Sequence, residues 1–180
     1  MNTPAHSNGP LSYRLEAPMR WVAVDAGFDA AAIDYWSEAN LRVLTQMSQF
    51  EERGVAIEQP TPQDLEIQRL HAKLDLLLTA IGELAPRFLD RPAKRALQLS
   101  WCSLKWPADA QTPPLGSSGL VEVHLHPVVL QPLRWPARLL SVDGGITEAE
   151  LLPAGEAAQQ ALERHVFQQH RRAIAAARRG

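Results

Sequence analysis

Cysteine is almost absent from this chain, and long hydrophobic runs are absent altogether. The single cysteine among 180 residues, Cys102, excludes a disulfide framework and any multi-cysteine zinc or iron–sulfur site. The longest strongly apolar stretch lies between Asp75 and Glu83, far short of the ~20 residues that a membrane-spanning helix needs. The first ten residues lack the basic and apolar segments of a secretory signal. We therefore expect a soluble, cytoplasmic protein with no membrane span.

Neither positive nor negative charge dominates the chain overall, but basic side chains are concentrated at its C-terminal end. The chain has 18 basic and 20 acidic side chains, for a net charge of −2, which gives no general attraction to nucleic acid or anionic membranes. Residues 164–180 nevertheless hold five arginines and no acid. Basic residues complement the dipole at the end of a helix. We prefer that explanation, and nucleic-acid binding through the basic C-terminal helix remains a second alternative function.

Proline is missing from three stretches. None of the 14 prolines lies between Met19 and Gln59, between Gln63 and Ala85, or after Pro153. Because proline is excluded from helix interiors and central strands, the chain is predicted to form two helices, a turn-rich β region and a final helix. The predicted segments are a mobile N-terminus with one candidate strand (1–24), a two-helix heptad segment for oligomerisation (25–90), and a β-barrel with a C-terminal helix (91–180).

Helix one is predicted to begin near Asp25 or Asp29, both good N-cap residues, and to end near Gly54. Its apolar positions recur at intervals of three and four, and Asn40 lies among them. A buried asparagine at such a position can fix the register and the oligomeric state of a coiled coil. The predicted interface positions are Ile33, Trp36, Asn40, Val43, Met47 and Phe50.

Helix two has a clearer start, because Thr61 followed by Asp64 three residues later forms a capping-box arrangement. It is predicted to end near Leu84. Leu76 and Leu78 flank its apolar seam, which makes the apolar face wider than one neighbouring helix would cover. Its predicted interface positions are Ile67, Leu70, Leu74, Leu77, Ile81 and Leu84.

Both seams have a period of 3.5 residues, which keeps one apolar face towards a partner helix. Two amphipathic helices that pack on their own domain would show the same pattern. The width of the helix-two face and the position of Asn40 favour an intermolecular bundle, with a tetramer preferred to a dimer.

Short apolar runs separated by turn residues follow from Ala96 to Leu152. Together with one strand near the N-terminus, which Pro18 interrupts, they predict a small antiparallel β-barrel. The segment Asp143-Gly144-Gly145 is a good hairpin turn. The predicted strands are 11–24, 97–106, 120–125, 128–133, 136–142 and 146–152, and a helix over 155–179 is expected to cover an open end of the barrel. The predicted fold class is α+β.

Three segments resemble the PilZ domain, a bacterial module of cyclic di-GMP signalling. Residues 99–106 match the family's leucine–serine–x–x–glycine–leucine–x–aromatic strand, 115–123 match the next turn and strand, and 161–172 match the closing helix. Long heptad helices after an N-terminal strand are similar to an atypical, helix-bearing branch in proteobacteria. The resemblance implies oligomers that form through those helices.

The nucleotide motif of that family is only partly present. Members that bind cyclic di-GMP have an arginine–x–x–x–arginine pair well upstream of the serine, an aspartate or asparagine two residues before it, and a glycine three residues after it. Here Gln98 and Ser103 flank Ser100 at those two positions, while Arg91 and Arg95 lie much closer to it than the family's pair. The resemblance therefore implies a degenerate ligand site formed by these five residues, and binding of cyclic di-GMP is doubtful.

No enzyme chemistry is predicted. His124 and His126 alternate along a predicted strand and could form a two-ligand metal corner, but no third ligand is near in sequence, and exposed strand histidines are the preferred interpretation. Cys102 is interpreted as a small buried hydrophobe. We expect no catalytic residue, no metal site and no cofactor.

The predicted function is a non-catalytic, homo-oligomeric signalling adaptor that acts on an unknown protein partner. Trp101, Trp106 and Trp135 are candidate core fillers or contact residues. The first alternative is a functional cyclic di-GMP receptor whose rearranged site uses Arg91, Arg95 and Ser100.

Overall fold

The described residues form six β-strands and three α-helices. The computed structural model describes residues 10–24, 27–51, 61–84, 88 and 90–178. No helix within these ranges combines the length and the apolar character needed to cross a bilayer. The elements are β1 (Ser12–Ala23), α1 (Ala30–Glu51), α2 (Pro62–Leu84), β2 (Lys94–Ser100), β3 (Ser103–Pro107), β4 (Ser118–Val123), β5 (Leu133–Asp143), β6 (Ile146–Leu151) and α3 (Glu156–Ala177).

The six strands form a closed antiparallel barrel in the order β1-β2-β3-β6-β5-β4. Strand β1 pairs with β2 through residues 12–18 and with β4 through residues 19–23. Pro18 lies where the pairing changes from one neighbour to the other, so its missing N–H does not end the strand. The N-terminal strand therefore closes the barrel, which is not confined to residues 91–180.

Two predicted strands differ from the structure. Residues 97–106 form two strands, because the Ser100 hydroxyl accepts hydrogen bonds from the backbone N–H groups of Cys102 (3.2 Å) and Ser103 (2.8 Å) and so stabilises a hairpin turn. Residues 128–132 are a loop, in which the N–H of Val128 bonds to the His126 ring instead of a neighbouring strand. The predicted turn at residues 143–145 is confirmed, since Gly144 and Gly145 both have positive φ.

The barrel interior is filled by large apolar side chains, and α3 extends the same core. Trp106 and Trp135 are 2% and 0% exposed, so they are core residues and not contact residues. Leu162 and Val166 of α3 pack into this cluster, so the prediction that the last helix covers the barrel is confirmed. Trp101, at the β2–β3 turn, is 41% exposed.

The N-terminal caps of both long helices are built as the sequence predicts. Asp29 accepts a hydrogen bond from the N–H of Ala32 (2.7 Å) and caps α1. Thr61 and Asp64 form the reciprocal bonds of a capping box at α2, with the Thr61 N–H donating to the Asp64 carboxylate (2.8 Å) and the Asp64 N–H donating to the Thr61 hydroxyl (3.2 Å). The other predicted start of helix one, Asp25, and its predicted end, Gly54, lie outside the described residues.

Candidate functional site

Helix α2 leaves most of its apolar face exposed. None of its residues is buried, and no other described helix or strand packs against it. At Gly82 the helix lies close to the backbone of Pro127. The predicted seam positions Ile67, Leu70, Leu74, Leu77, Ile81 and Leu84 are 49–60% exposed, and Leu65 and Leu76 are 44% and 70% exposed.

Helix α1 turns the corresponding face towards its own barrel. Asn40, Val43 and Met47 are 1–2% exposed, so their predicted role in contacts between subunits is corrected. The physical reason is an unpaired strand edge. Strand β5 pairs with β6 only from Ala137 onwards, so its edge on that side has no partner at Arg134 among the described strands, and α1 packs against β5 there. The Asn40 amide forms hydrogen bonds with this unpaired edge: it accepts from the Arg134 N–H (2.8 Å) and donates to the Arg134 carbonyl (2.7 Å).

The outer positions of the helix-one seam also face their own subunit. Trp36 lies under the Arg134 guanidinium, which is 5.7 Å from the ring centroid. Phe50 is 46% exposed, and its ring stacks on His126 at 5.6 Å. Ile33 is half-buried. Of the twelve predicted interface residues, those of α2 are therefore free of the barrel and those of α1 are mostly engaged with it.

The motif serine and its neighbours lie together at the β2–β3 hairpin. The Ser100 hydroxyl is 3.0 Å from the Ser103 hydroxyl, and the Gln98 amide donates to the Ser12 hydroxyl (2.9 Å). Ser103 does not need the conformational freedom of the family's glycine, since no described residue other than glycine has positive φ. The polar groups of the motif thus bond within the hairpin and to β1.

The two candidate arginines are not brought to this hairpin. Arg95 pairs with Asp109 at 2.6 Å, and Arg91 reaches the carbonyl of Pro127 at 3.5 Å. Arg95 and Ser100 lie near opposite ends of β2, about 16 Å apart for five residues of extended chain. The structure therefore unites Gln98, Ser100 and Ser103 and separates them from Arg95.

A cavity of about 590 Å³ lies on the outer face of the barrel beside Gln98. Its polar lining follows one row across neighbouring strands, from Arg14 to Gln98 to Lys105 to Glu148. Lys105 and Glu148 form an ion pair at 3.0 Å. Two cationic side chains, Arg14 and Lys105, are matched by two acidic ones, Asp143 and Glu148. The lining consequently carries no net charge to attract a dianionic nucleotide.

The two histidines of the proposed metal corner lie beyond the end of β4 and do not alternate on a strand. His124 is 8% exposed, which corrects the expectation of an exposed strand histidine. Burial lowers the pKa of His124, and the positive charge of Arg91 lowers it further. Burial also lowers the pKa of His126. The described part of the chain holds no group of three side chains suited to a metal ion.

Sequence reasoning missed a buried carboxylate beside these histidines. Glu122 is aligned with Arg20 on β1 and Arg134 on β5, and its oxygens pair with both guanidinium groups at 2.9 and 2.8 Å. Its side chain is 4% exposed, whereas each arginine is 40% exposed. No local signal in the sequence identifies this triad, since it exists only through the strand register.

A second missed cluster joins β1, α1 and α3. The Tyr13 hydroxyl is 2.8 Å from the ring of His165. Burial raises the pKa of Tyr13 and lowers the pKa of His165, so both groups are held neutral at this contact. Nearby, Glu51 pairs with Arg172 at 2.6 Å. One of the five C-terminal arginines is therefore used within the subunit.

Comparison with known proteins agrees with the barrel fold. A model of the family described as "Atypical PilZ domain, cyclic di-GMP receptor" matches residues 41–179. One similar solved structure is a pathogenic protein from Xanthomonas campestris, described as a tetrameric PilZ domain self-assembled via a helical bundle. It is 27% identical, with a TM-score of 0.66, and the match covers 93% of this chain and 92% of that chain. No curated protein matches the chain. The chain belongs to the atypical PilZ domain family.

Proposed function

We propose that this chain is a non-catalytic PilZ-type signalling adaptor without a cofactor, and that it acts in the cytoplasm. Helix α2 assembles sister subunits into an oligomer, and each subunit presents its barrel to a protein partner. The observation that carries this proposal is the apolar face of α2, which the described part of its own subunit leaves exposed.

Burial of this face would stabilise an oligomer substantially. Full burial of a leucine or isoleucine side chain contributes about 1.5–3 kcal/mol, and the six seam residues are 49–60% exposed. Half of that contribution from each residue amounts to about 4–9 kcal/mol for each helix before the cost of association. The stability of a single helix that exposes this face to water is marginal, because most helical stability in proteins comes from packing.

A tetramer is favoured over a dimer for two reasons. Leu76 is 70% exposed and lies outside the seam, so a single partner helix would leave it uncovered. The Xanthomonas protein is described as a tetramer assembled via a helical bundle. An oligomer also presents several barrels at once, which strengthens weak contacts with a partner through effective concentration.

The oligomer is tested with Leu74→Asp combined with Leu77→Asp. We expect light scattering to show a multimer for the parent and a 19.9 kDa monomer for the variant, with the β signal in circular dichroism retained because the barrel does not pack on α2. The control, Gln68→Asp, adds a charge to the side of the helix away from the seam, two turns from Leu76, and should leave the mass unchanged. A parent that is monomeric at tens of micromolar would contradict the proposal.

We further propose that the cyclic di-GMP site is degenerate. The cavity beside Gln98 has a balanced charge, and Arg95 is paired with Asp109 away from Ser100. Each lost charged hydrogen bond weakens binding by about 1.5–3 kcal/mol, so loss of two or three contacts lowers the affinity by orders of magnitude.

Calorimetric titration with cyclic di-GMP tests this point. We expect no saturable heat at micromolar nucleotide concentrations. The alternative function, a receptor with a rearranged site, is favoured by the family's description as a cyclic di-GMP receptor. It requires saturable binding that is lost when Arg91 and Arg95 are both changed to alanine.

A further inference from the structure

An apolar groove lies between the β2–β3 hairpin and helix α3. It has a volume of about 520 Å³ and is lined by Leu11, Trp101, Val166 and Phe167, with Glu163 and Arg164 also at its wall. Leu11 and Trp101 are each 41% exposed, and Phe167 is 52% exposed. Two large aromatic side chains thus share one concave surface, which is the arrangement typical of binding hot spots.

The hairpin fixes the backbone of the turn that carries Trp101. Ser100 accepts hydrogen bonds from the backbone of Cys102 and Ser103 on one side of the turn. The Gln159 amide of α3 donates to the Trp101 carbonyl (3.1 Å), and the Leu151 N–H donates to the Cys102 carbonyl (2.8 Å). Binding of a partner over the indole would therefore cost little conformational entropy of the turn backbone, which is already ordered.

Positive charge borders the groove. The Arg171 guanidinium lies 5.6 Å from the centroid of the Phe167 ring, and Arg164 is part of the wall. Neither arginine forms an ion pair with another described residue, and Glu163 is the acidic side chain of the lining. With two cations against one anion, the border complements a negatively charged partner.

We propose that this groove, termed the Trp101 groove, docks a short segment of another protein in which one or two large apolar side chains are flanked by aspartate or glutamate. This inference rests on the proposed adaptor function and specifies the chemistry of its partner. The chain's own residues 1–9, MNTPAHSNG, contain no large apolar side chain except Met1, so they do not match the groove.

The test is a selection of random peptides of about twelve residues, displayed on phage, on the intact protein. Peptides that also bind a variant with Trp101→Ala and Phe167→Ala are removed. We expect the enriched peptides to combine large apolar and acidic residues. Synthetic copies should bind the parent saturably in fluorescence anisotropy and lose about thirtyfold in affinity on Trp101→Ala, as expected for a hot-spot residue. Arg171→Glu should weaken binding, and salt should weaken binding to the parent.

Two matched controls separate the groove from general effects. Tyr35→Ala removes an aromatic side chain that is 60% exposed on α1, and Lys94→Glu reverses an exposed charge at the far end of β2. Both should leave the affinity unchanged. The proposal is overturned if no peptide is enriched, if the enriched peptides lack acidic residues, or if they bind the Trp101→Ala variant equally well.

Light scattering distinguishes the remaining occupant, a second copy of this chain. Trp101→Ala should leave the oligomeric mass unchanged, and a fall in mass would overturn the proposal. The selected peptides should also bind the Leu74→Asp/Leu77→Asp variant, because the groove does not include α2. Failure of the helical scaffold and failure of the groove are therefore observed separately.

Discussion

Replacement of Asn40 by leucine tests whether helix one belongs to its own barrel or to a seam between subunits. Asn40 is 1% exposed, and its amide bonds to both the N–H and the carbonyl of Arg134. Leucine has the same number of non-hydrogen side-chain atoms in the same branched arrangement and would restore the heptad pattern, but it satisfies neither backbone group. The substitution therefore isolates the hydrogen bonds from the effect of a cavity.

The expected cost follows from those two bonds. A buried donor or acceptor left without a partner costs about 1–3 kcal/mol, and Asn40→Leu leaves two such groups on Arg134. Because some solvent can reach this edge of β5, we expect a loss of about 3 kcal/mol in the free energy of unfolding. For a domain of this size, that loss lowers the melting temperature by about 6–12 °C.

Urea unfolding followed by circular dichroism, at one fixed protein concentration, measures the loss. Asn40→Ala should cost more than Asn40→Leu, because it also creates a cavity. Gln46→Ala, at an exposed position of the same helix, should change the stability by less than about 0.5 kcal/mol.

A seam between subunits predicts the opposite result. There a buried asparagine fixes the oligomeric state at a cost in stability, so leucine would stabilise the assembly or change its mass. If Asn40→Leu unfolds at the same urea concentration as the parent and alters the oligomeric mass, the assignment of α1 to its own barrel is refuted.

Two further predictions concern the barrel and its pH dependence. Gly119→Ala should destabilise the protein by about 1–3 kcal/mol, because a Cβ would overlap the Trp21 indole; a variant with the parent's melting temperature would contradict this packing. Burial lowers the folded-state pKa of His165 below its usual 6.5, so the unfolded chain binds more protons and stability should fall as the pH drops below that value. Urea midpoints between about pH 7.5 and about pH 5 should therefore show a weaker pH dependence for His165→Gln than for the parent, and equal slopes would exclude this source.

Local features of the fold could be predicted because their causes lie within a few residues. The Thr61–Asp64 box and the Gly144-Gly145 turn depend on adjacent backbone geometry, and both have the expected structure. The strand prediction over 97–106 was wrong for a related reason. The side chain of Ser100 stabilises a turn that hydrophobicity alone does not reveal.

The side-chain clusters that the sequence analysis missed were harder to predict, since their residues meet only through the tertiary fold. Glu122 reads as one acid between two valines, and the barrel aligns it with two arginines from other strands. Tyr13 and His165 are 152 positions apart in the chain. Arg91 and Arg95 have the spacing of the family's arginine pair, yet the fold directs Arg95 to Asp109.

The sequence by itself determined the order of the elements, the helix starts and the apolar face of each long helix, because capping and periodicity are short-range properties of the chain. Only the tertiary structure decided what each face meets. Helices α1 and α2 have equivalent seams, but the unpaired edge of β5 offers hydrogen-bonding groups that Asn40 of α1 can satisfy, and α2 finds no such partner among the described residues. Periodicity shows that the apolar face of each helix must be covered. The geometry of the barrel decides that its own strands cover the face of α1 and leave the face of α2 uncovered.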